Sequence, residues 1–391
     1  MIVVIADDFS GAAEVAGAAH AMGLTSEVQT DFHASSSTDV VVVDTNTRSK
    51  SPTIAAKLVG ELTRIIHASH PTWLFKKIDS VLRGSVANEL LSIADCWPFE
   101  SILLVPANPS RNRTVVAGEI WVDGIPVART PFAIDPEHPA LSSNVIELLH
   151  LDKKQASVGS PDENLPNTKL IVGNASSTAD LEYWSGQVDQ RSLAAGGVEF
   201  FEATLRVHFG GLLRHAAPIR TPQPTVPLTQ AALIVCGTSA GWQDRIECFE
   251  RLDIPLVDMQ EIGMNRCCTS TELDLMSARV AQQFDRHRIV AVAVSSVPLP
   301  ATTLGNFGST NLAELVRRVK NELTIGSMFI EGGATASAIV RASDWKTLTV
   351  VDRLAPGIVS LVPRNNDQLI VTVKPGSYPW PSSVLKMFSR N

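Results

Sequence analysis

The sequence lacks the residue patterns that mark zinc sites, disulfide frameworks and membrane spans. Its five cysteines are scattered at positions 96, 236, 248, 267 and 268, an odd number without a CxxC pair. This pattern disfavours both structural zinc and disulfides. No apolar run reaches the roughly 20 residues of a membrane-spanning helix, and no basic leader precedes the first strand. We therefore expect a cytoplasmic protein without a membrane partner.

Charge is also sparse. Charged residues make up 19% of the 391 residues, and the formal net charge is −7. A negative balance disfavours a nucleic-acid or membrane-surface role, although a local group of lysines and arginines could still bind a small anion. Hydrophobic residues make up 45% of the chain, which is enough to bury a sizeable core. The length predicts two domains.

Three common motifs of α/β enzymes are missing. The chain has no GxxxxGK(S/T), no GxGxxG and no GxSxG. Their absence argues against a P-loop, an ordinary dinucleotide site and a hydrolase nucleophile elbow. An unrelated dehydrogenase remains only a distant alternative.

Apolar runs that are typical of buried strands alternate with helical periodicity in both halves of the chain. The first half reads β, α, β, β, α, β, α, β, which predicts two α/β domains with largely parallel sheets. A proline-rich stretch at residues 216–229 is the predicted linker between domains at 1–215 and 230–391. Asp123-Gly124 predicts a hairpin. The later helices are predicted at residues 179–188, 200–213, 242–252, 277–287, 312–323 and 336–342.

Two acidic residues, Asp7 and Asp8, directly follow the first predicted strand and precede an alanine-rich helix. Ligands of open α/β sheets bind where strands end and helices begin, so this pair could belong to a binding site. The alternative is that Asp8 or Ser10 only caps the helix, which needs one side-chain oxygen.

A second polar stretch, KKIDSVLRG at residues 76–84, ends another predicted strand. Lys76 and Lys77 should point to opposite faces of that strand. At the carboxyl edge of the sheet, Asp79 and Arg83 would join Asp8 and Arg48. Such a mixed cluster suits a small hydroxylated anion, because arginine can hold a carboxylate in bidentate fashion. A purely structural ion-pair network is the alternative.

Three turns of small residues follow predicted strands in the second half: Gly237-Thr-Ser, Gly332-Gly-Ala-Thr and Lys374-Pro-Gly. Backbone N–H groups at such turns can approach a phosphate, and a helix N-terminus favours its negative charge. For each turn by itself, tight packing is the favoured explanation. Together they predict a phosphate-binding crevice.

These stretches resemble the motifs of the four-carbon acid sugar kinase family. Residues 6–12 (ADDFSGA) resemble its DDxTGA opening, and residues 76–84 resemble its KxDSTLRG motif. Residues 106–113, Gly118 and the segment 122–130 resemble PAxPxxGR…G…VxGxPVxxT, followed by the DP at 135–136. Residues 332–335 resemble GG(D/E)T, and residues 374–376 begin a relative of KSGxFG. The resemblance covers nearly the whole chain.

The resemblance implies ATP-dependent phosphorylation of a hydroxyl of a small sugar acid such as threonate, erythronate or 3-oxo-tetronate. The N-terminal domain would hold the acid and the C-terminal domain ATP with Mg²⁺, with both sites at the interdomain cleft and no metal ligands assigned in the protein. Asp8, with Asp79 second, would be the catalytic base. The acid-binding residues would be Asp7, Arg48, Lys77 and Arg83. The ATP contacts would be Ser239, Gly332, Gly333, Ala334, Thr335 and Gly376.

The chain departs from the family patterns mainly on the nucleotide side. Ala334 replaces the acid of GG(D/E)T, and Pro375 removes a backbone donor near the expected phosphates. Ser10 for threonine and Glu14 for a later aspartate are milder changes. A relative that binds a sugar acid without phosphoryl transfer is therefore the second hypothesis. A homodimer is the default expectation for the oligomeric state.

Overall fold

The computed structural model describes residues 1–135, 137–161, 163–215, 231–237, 242–259, 266–294, 301–376 and 378–389, with the side chains of 214–215 and 301–306 excepted. The chain divides into two compact units, Met1–Pro218 and Ile219–Asn391. The predicted linker at 216–229 lies outside the described residues. No helix in these described ranges combines the length and the apolar character that crossing a membrane requires.

The first unit is built on a parallel sheet with helices packed against it. Its strands are β1 (Ile2–Ala6), β2 (Ser26–Gln29), β3 (Val40–Asp44), β4 (Trp73–Lys77), β5 (Ser101–Val105), β6 (Arg113–Val116), β7 (Glu119–Val122), β8 (Ile125–Pro126), β9 (Ala156–Gly159), β10 (Leu170–Gly173) and β11 (Ser192–Gly196). Its helices are α1 (Phe9–Ala21), α2 (Pro52–Ala68), α3 (Val86–Cys96), α4 (Val145–Leu148), α5 (Thr178–Gly186) and α6 (Val198–His215).

Within this unit the main strands pair in the order β2-β3-β1-β4-β11-β5-β10-β9, and every pair is parallel. Ala6 at the end of β1 lies opposite Asp44 of β3 and Lys77 of β4. The three strands therefore end together, and the residues that follow them emerge at one edge. Strands β6, β7 and β8 form a separate antiparallel sheet.

The core of the first unit explains the near-continuous apolar runs of its strands. Val3 and Ile5 of β1 pack in one cluster with Val59 of α2 and with Leu90 and Ile93 of α3, and all five side chains are fully buried. Strands of a parallel sheet are covered on both faces, so they are apolar throughout rather than alternating.

The second unit contains a mixed sheet. Its strands are β12 (Ala231–Cys236), β13 (Leu256–Asp258), β14 (Ile289–Ala293), β15 (Ile325–Glu331), β16 (Thr347–Ala355), β17 (Ile358–Pro363) and β18 (Ile370–Lys374). Its helices are α7 (Trp242–Arg251), α8 (Ser270–Phe284), α9 (Ala301–Glu322), α10 (Gly333–Ala342) and α11 (Ser382–Phe388). The strands pair in the order β13-β14-β12-β15-β18-β17-β16, parallel as far as β18 and antiparallel beyond it.

The predicted α/β class and the predicted order of elements from β1 to β5 are confirmed, and so is the hairpin at Asp123-Gly124. Three helix starts were predicted too late. Helix α8 begins at Ser270 rather than at 277, because Thr269 and Glu272 form a capping box. Helix α9 begins at Ala301 rather than at 312. Helix α10 begins at Gly333 rather than at 336. Strands β6, β9, β11, β13 and β17 and the short helices α4 and α11 were not predicted.

Candidate functional site

The polar residues that follow three neighbouring strands lie at one edge of the first sheet. Asp7 and Asp8 follow β1, and the loop that carries Arg48 follows β3. Asp79 and Arg83 follow β4. Because these strands are parallel and end in register, the predicted cluster forms at their carboxyl ends.

Asp8 is the N-cap of α1, as the capping alternative predicted. Its backbone is extended, with φ −142° and ψ 158°, and the backbone N–H of Gly11 donates to its carboxylate over 3.0 Å. The Ser10 hydroxyl also donates to Asp8. A Cβ on Gly11 would lie 2.6 Å from Asp8 Oδ1, so only glycine allows this close approach. Capping fixes the orientation of Asp8 but does not account for Asp7.

Arg48 ties the two acids together. It donates to both oxygens of Asp7, from Nε over 2.8 Å and from Nη2 over 2.9 Å, and Nη2 also lies 2.8 Å from Asp8 Oδ1. Burial by itself would raise the pKa of Asp7, but the charge of Arg48 outweighs it and the pKa lies below its usual value. Asp7 is therefore ionised and rigidly held.

Asp79 is paired in the same way with Arg83. The guanidinium donates to Asp79 Oδ2 over 3.0 Å and to Oδ1 over 2.9 Å, and Nη1 reaches Asp135 over 3.4 Å. Burial opposes ionisation of Asp79, yet Arg83 and Arg48 together hold its pKa well below the usual range. Both of its oxygens have a fixed cationic partner.

Asp8 is the most accessible of the three acids. Its side chain is 16% exposed, against 4% for Asp7 and 8% for Asp79. A carboxylate oxygen can accept more than one hydrogen bond, so the contacts of Asp8 leave it capacity for a further donor. Within this cluster Asp8 is the carboxylate best placed to meet a ligand hydroxyl.

The two adjacent lysines of β4 leave the sheet on opposite faces, as predicted. Lys76 is completely buried and lies 2.7 Å from Glu89 of α3, a structural ion pair. Lys77 Nζ lies 3.7 Å from Glu14 of α1 and donates to the carbonyl oxygen of Ile78 over 2.9 Å. Of the two, Lys77 is the one that belongs to the acid and base cluster.

Sequence reasoning missed three members of this edge. Glu14 forms ion pairs with Arg111, over 3.0 Å, and with Lys77, over 3.7 Å. Arg113 donates to the Ser80 hydroxyl over 2.6 Å. The sequence predicts a polar loop for the stretch that carries both arginines, although Arg113 begins strand β6. Nothing in their spacing shows which strand end they reach.

In the second unit the three predicted small-residue turns follow adjacent strands. Cys236 of β12 lies opposite Glu331 of β15, which in turn lies opposite Lys374 of β18. Gly332 donates its backbone N–H to the carbonyl of Lys374 over 3.0 Å. A Cβ on Gly237 would lie 1.7 Å from Thr335 Oγ1, so Gly237 packs directly against Thr335. Tight packing is thus confirmed for Gly237. Ser239 lies outside the described residues.

Helix α10 begins directly at Gly333, so Gly333, Ala334 and Thr335 form its first turn. Gly332 precedes them as the N-cap with φ +99°, a conformation that favours glycine. The first N–H groups of a helix have no acceptor within it, and they point out from its positive end. This end can receive an anion.

A buried charged cluster lines a cavity of about 410 Å³ beside these turns. Glu331 lies 2.7 Å from Arg245 and 3.5 Å from Lys374, and it accepts a hydrogen bond from the indole of Trp380. Burial lowers the pKa of Lys374. The cavity is within the size range of small-molecule sites, and Gly376 contributes to its wall.

In a comparison with known proteins, the two units match two different domain families. Residues 2–187 match the sugar-binding N-terminal domain, and residues 257–378 match the nucleotide-binding C-terminal domain. The chain belongs to the four-carbon acid sugar kinase family. The predicted family is thus confirmed.

Relatives in this family resemble the chain along most of its length. It is 24% identical to a D-threonate kinase of Salmonella typhimurium over 96% of this chain and 95% of the relative. A D-erythronate kinase of Heliobacterium modesticaldum is also 24% identical, over 91% of this chain and 88% of the relative. A crystal structure of a Salmonella typhimurium protein, provisionally named a tRNA synthase, matches with a TM-score of 0.78 at 17% identity, covering 100% of this chain and 98% of the other. That structural likeness concerns the fold alone.

Proposed function

We propose that this family member transfers the γ-phosphoryl group of ATP to a hydroxyl of a four-carbon or related branched sugar acid, such as threonate, erythronate or 3-oxo-tetronate. The observation that carries the proposal is the acid and base cluster at the ends of β1, β3 and β4, in the unit that matches a sugar-binding domain. Such a cluster can hold hydroxyls on carboxylates and an anion on guanidinium groups.

Asp8 is the proposed catalytic base. It is more exposed than Asp7 and Asp79, and Arg48, Ser10 and Gly11 fix its orientation. A carboxylate in reach of the attacking hydroxyl accepts its proton as the phosphorus–oxygen bond forms. Asp79 stays the second candidate, because Arg83 occupies both of its oxygens.

Asp7, Arg48, Lys77 and Arg83 form the proposed wall of the acid site. Arg48 has three carboxylate partners and Arg83 has two, so each is fixed in one position. Preorganised charges of this kind stabilise developing charge without rearranging during the reaction.

The nucleotide is assigned to Ser239, Gly332, Gly333, Ala334, Thr335 and Gly376. The first turn of α10 suits phosphate oxygens, because its N–H groups are free of intrahelical bonds. ATP would supply the phosphoryl group, and its Mg²⁺ would offset negative charge on the phosphates. The residues that the structure describes contain no group of three or more histidines, cysteines or acids that could hold a metal ion. Mg²⁺ commonly binds through substrate phosphates, so the nucleotide would carry the ion.

An ADP-release assay over a panel of tetronates, their 3-oxo forms and branched analogues tests the proposal. We expect at least one acid to stimulate ADP formation far above the rate without acceptor. Product mass should increase by one phosphoryl group. If no acid in the panel stimulates ADP release, the kinase assignment is contradicted.

A binding protein without phosphoryl transfer is the second candidate, and Ala334 and Pro375 favour it. Ala334 places a methyl group where the family motif has an acid, and Pro375 cannot donate a backbone hydrogen bond. Titration with ATP–Mg²⁺ in a calorimeter separates the two functions. Measurable binding supports the kinase, and absence of binding favours the second function. The cytoplasmic location and the homodimer stay predictions.

A further inference from the structure

Arg113 differs from the other arginines of the acid and base cluster in its partners. Arg48, Arg83 and Arg111 each have a carboxylate within 3.0 Å. Among the described residues, Arg113 has no carboxylate within ion-pair distance, and its side-chain hydrogen bond is the one from Nη1 to Ser80. A guanidinium carries five N–H donors in a planar fork. Most of the donors of Arg113 therefore remain available to a ligand.

The position of Arg113 is nevertheless fixed. It is the first residue of β6, and its backbone pairs with Asn108 through hydrogen bonds of 2.8 and 3.2 Å. Its guanidinium carbon lies 5.4 Å from the ring centroid of Phe132, and that of Arg83 lies 5.5 Å from the same ring. Arginine stacks readily on aromatic faces, so Phe132 holds both guanidinium groups near the Asp79 loop.

The overall charge of the site cannot by itself attract an acid. Five carboxylates accompany five cations at this edge: Asp7, Asp8, Glu14, Asp79 and Asp135 with Arg48, Lys77, Arg83, Arg111 and Arg113. Recognition of an anion therefore depends on a specific set of free donors. Only a side chain that is not already saturated by carboxylates can provide them.

We propose that Arg113 binds the carboxylate of the sugar acid and selects acids over uncharged sugars, an inference that rests on the proposed function of the first unit. A carboxylate matches two parallel N–H donors of a guanidinium in a bidentate pair. Burial lowers the pKa of Arg113 below that of a free arginine, which agrees with a cation that lacks a counter-ion at contact distance. Ser80 directly follows Asp79, so the carboxylate would dock beside the loop that carries Asp79 and Arg83.

Calorimetric titration in the absence of nucleotide tests this role independently of phosphoryl transfer. The ligands are the best acid from the panel and its carboxamide, which has the same shape without the charge. Arg113→Met should weaken binding of the acid about 100-fold, because charge-assisted hydrogen bonds are lost. Its effect on the carboxamide should be about 3-fold or less. Arg113→Lys keeps the charge without the fork and should weaken acid binding about 10-fold.

Two controls exclude a general loss of structure. Arg191→Met removes an arginine that is 68% exposed and paired on the surface with Glu100 and Asp189, and it should leave acid binding unchanged. The melting temperature of Arg113→Met without ligand should equal or exceed that of the wild type, since the substitution removes a half-buried cation without a carboxylate partner.

The outcomes separate this role from the proposed function. If the wild type binds an acid and Arg113→Met binds it within 3-fold, the carboxylate role is overturned while the kinase assignment stands. An equal loss of affinity for acid and carboxamide also overturns it. If the wild type neither binds nor phosphorylates any acid, the proposed function itself fails.

Discussion

Arg48→Met should be among the most destabilising single substitutions at the acid and base edge. Arg48 is the partner of both oxygens of Asp7, whose side chain is only 4% exposed. Removing one partner of a buried ion pair costs about 3–5 kcal/mol, because the remaining charge is left without compensation. Arg48 is itself 18% exposed, so we expect a loss near the lower end, about 3 kcal/mol at pH 7.

The stability lost in Arg48→Met should depend on pH in a defined direction. In the wild type the pKa of Asp7 is lowered, so its stabilising contribution is complete above the unfolded pKa of about 3.9 and fades as pH falls through the folded pKa. In Arg48→Met burial prevails, and the folded pKa of Asp7 rises. As pH falls, protonation of Asp7 removes the uncompensated buried charge from the variant. The difference in free energy of unfolding between wild type and Arg48→Met should therefore be larger at pH 7 than at pH 5.

Urea unfolding of the full chain at several pH values measures this effect. A double-mutant cycle with Asp7→Asn isolates the pair, and we expect Asp7→Asn to recover a large part of the stability lost in Arg48→Met. The exposed Arg191→Met should change stability by less than about 0.5 kcal/mol. A loss below about 1 kcal/mol for Arg48→Met, or no recovery in the double variant, would refute the reasoning.

Three further predictions concern the acid and base edge of the first unit and the first turn of α10 in the second. Gly84→Ala should cost about 1–2 kcal/mol in urea unfolding, because Gly84 has φ +93° and its Cβ would lie 3.3 Å from Asp7 Oδ2; an unchanged midpoint would contradict this. Asp79→Asn should flatten the loss of stability between about pH 5 and pH 2, since the lowered pKa of Asp79 stabilises the fold above its unfolded pKa and this contribution disappears in acid; parallel pH profiles would argue against it. Ala334→Asp restores an acid at an exposed site in the first turn of α10, and we expect calorimetry to show tighter binding of ATP–Mg²⁺; equal or weaker affinity would exclude a nucleotide role for that acid.

The sequence predicted the edge of the first sheet well because local signals there agree. Predicted strands ended at Asp7 and at Asp79, and parallel strands bring such ends together. Alternation along β4 placed Lys76 and Lys77 on opposite faces. Asp8 or Ser10 was predicted to cap the helix, and Asp8 is the capping residue.

The features that were missed depend on distant contacts. Strand β11 reads Ser-Leu-Ala-Ala-Gly, a weak strand pattern, yet it lies between β4 and β5. A Cβ on Gly196 would lie 2.3 Å from the carbonyl oxygen of Val105, so close packing of neighbouring strands selects these small residues. Arg111 reaches Glu14 from a loop almost one hundred residues further along the chain, and local spacing carries no signal for that.

Phosphate transfer by the wild type and by Asp8→Asn tests the central claim most directly. Each protein is given ATP–Mg²⁺ and the best acid, and the phosphorylated acid is quantified by mass spectrometry. We expect the wild type to form the product. Turnover of Asp8→Asn should fall by about 10² to 10⁴, the usual contribution of a general base, while its affinity for ATP–Mg²⁺ stays unchanged. Near-normal turnover in Asp8→Asn, or no phosphorylated acid from the wild type, would contradict the account.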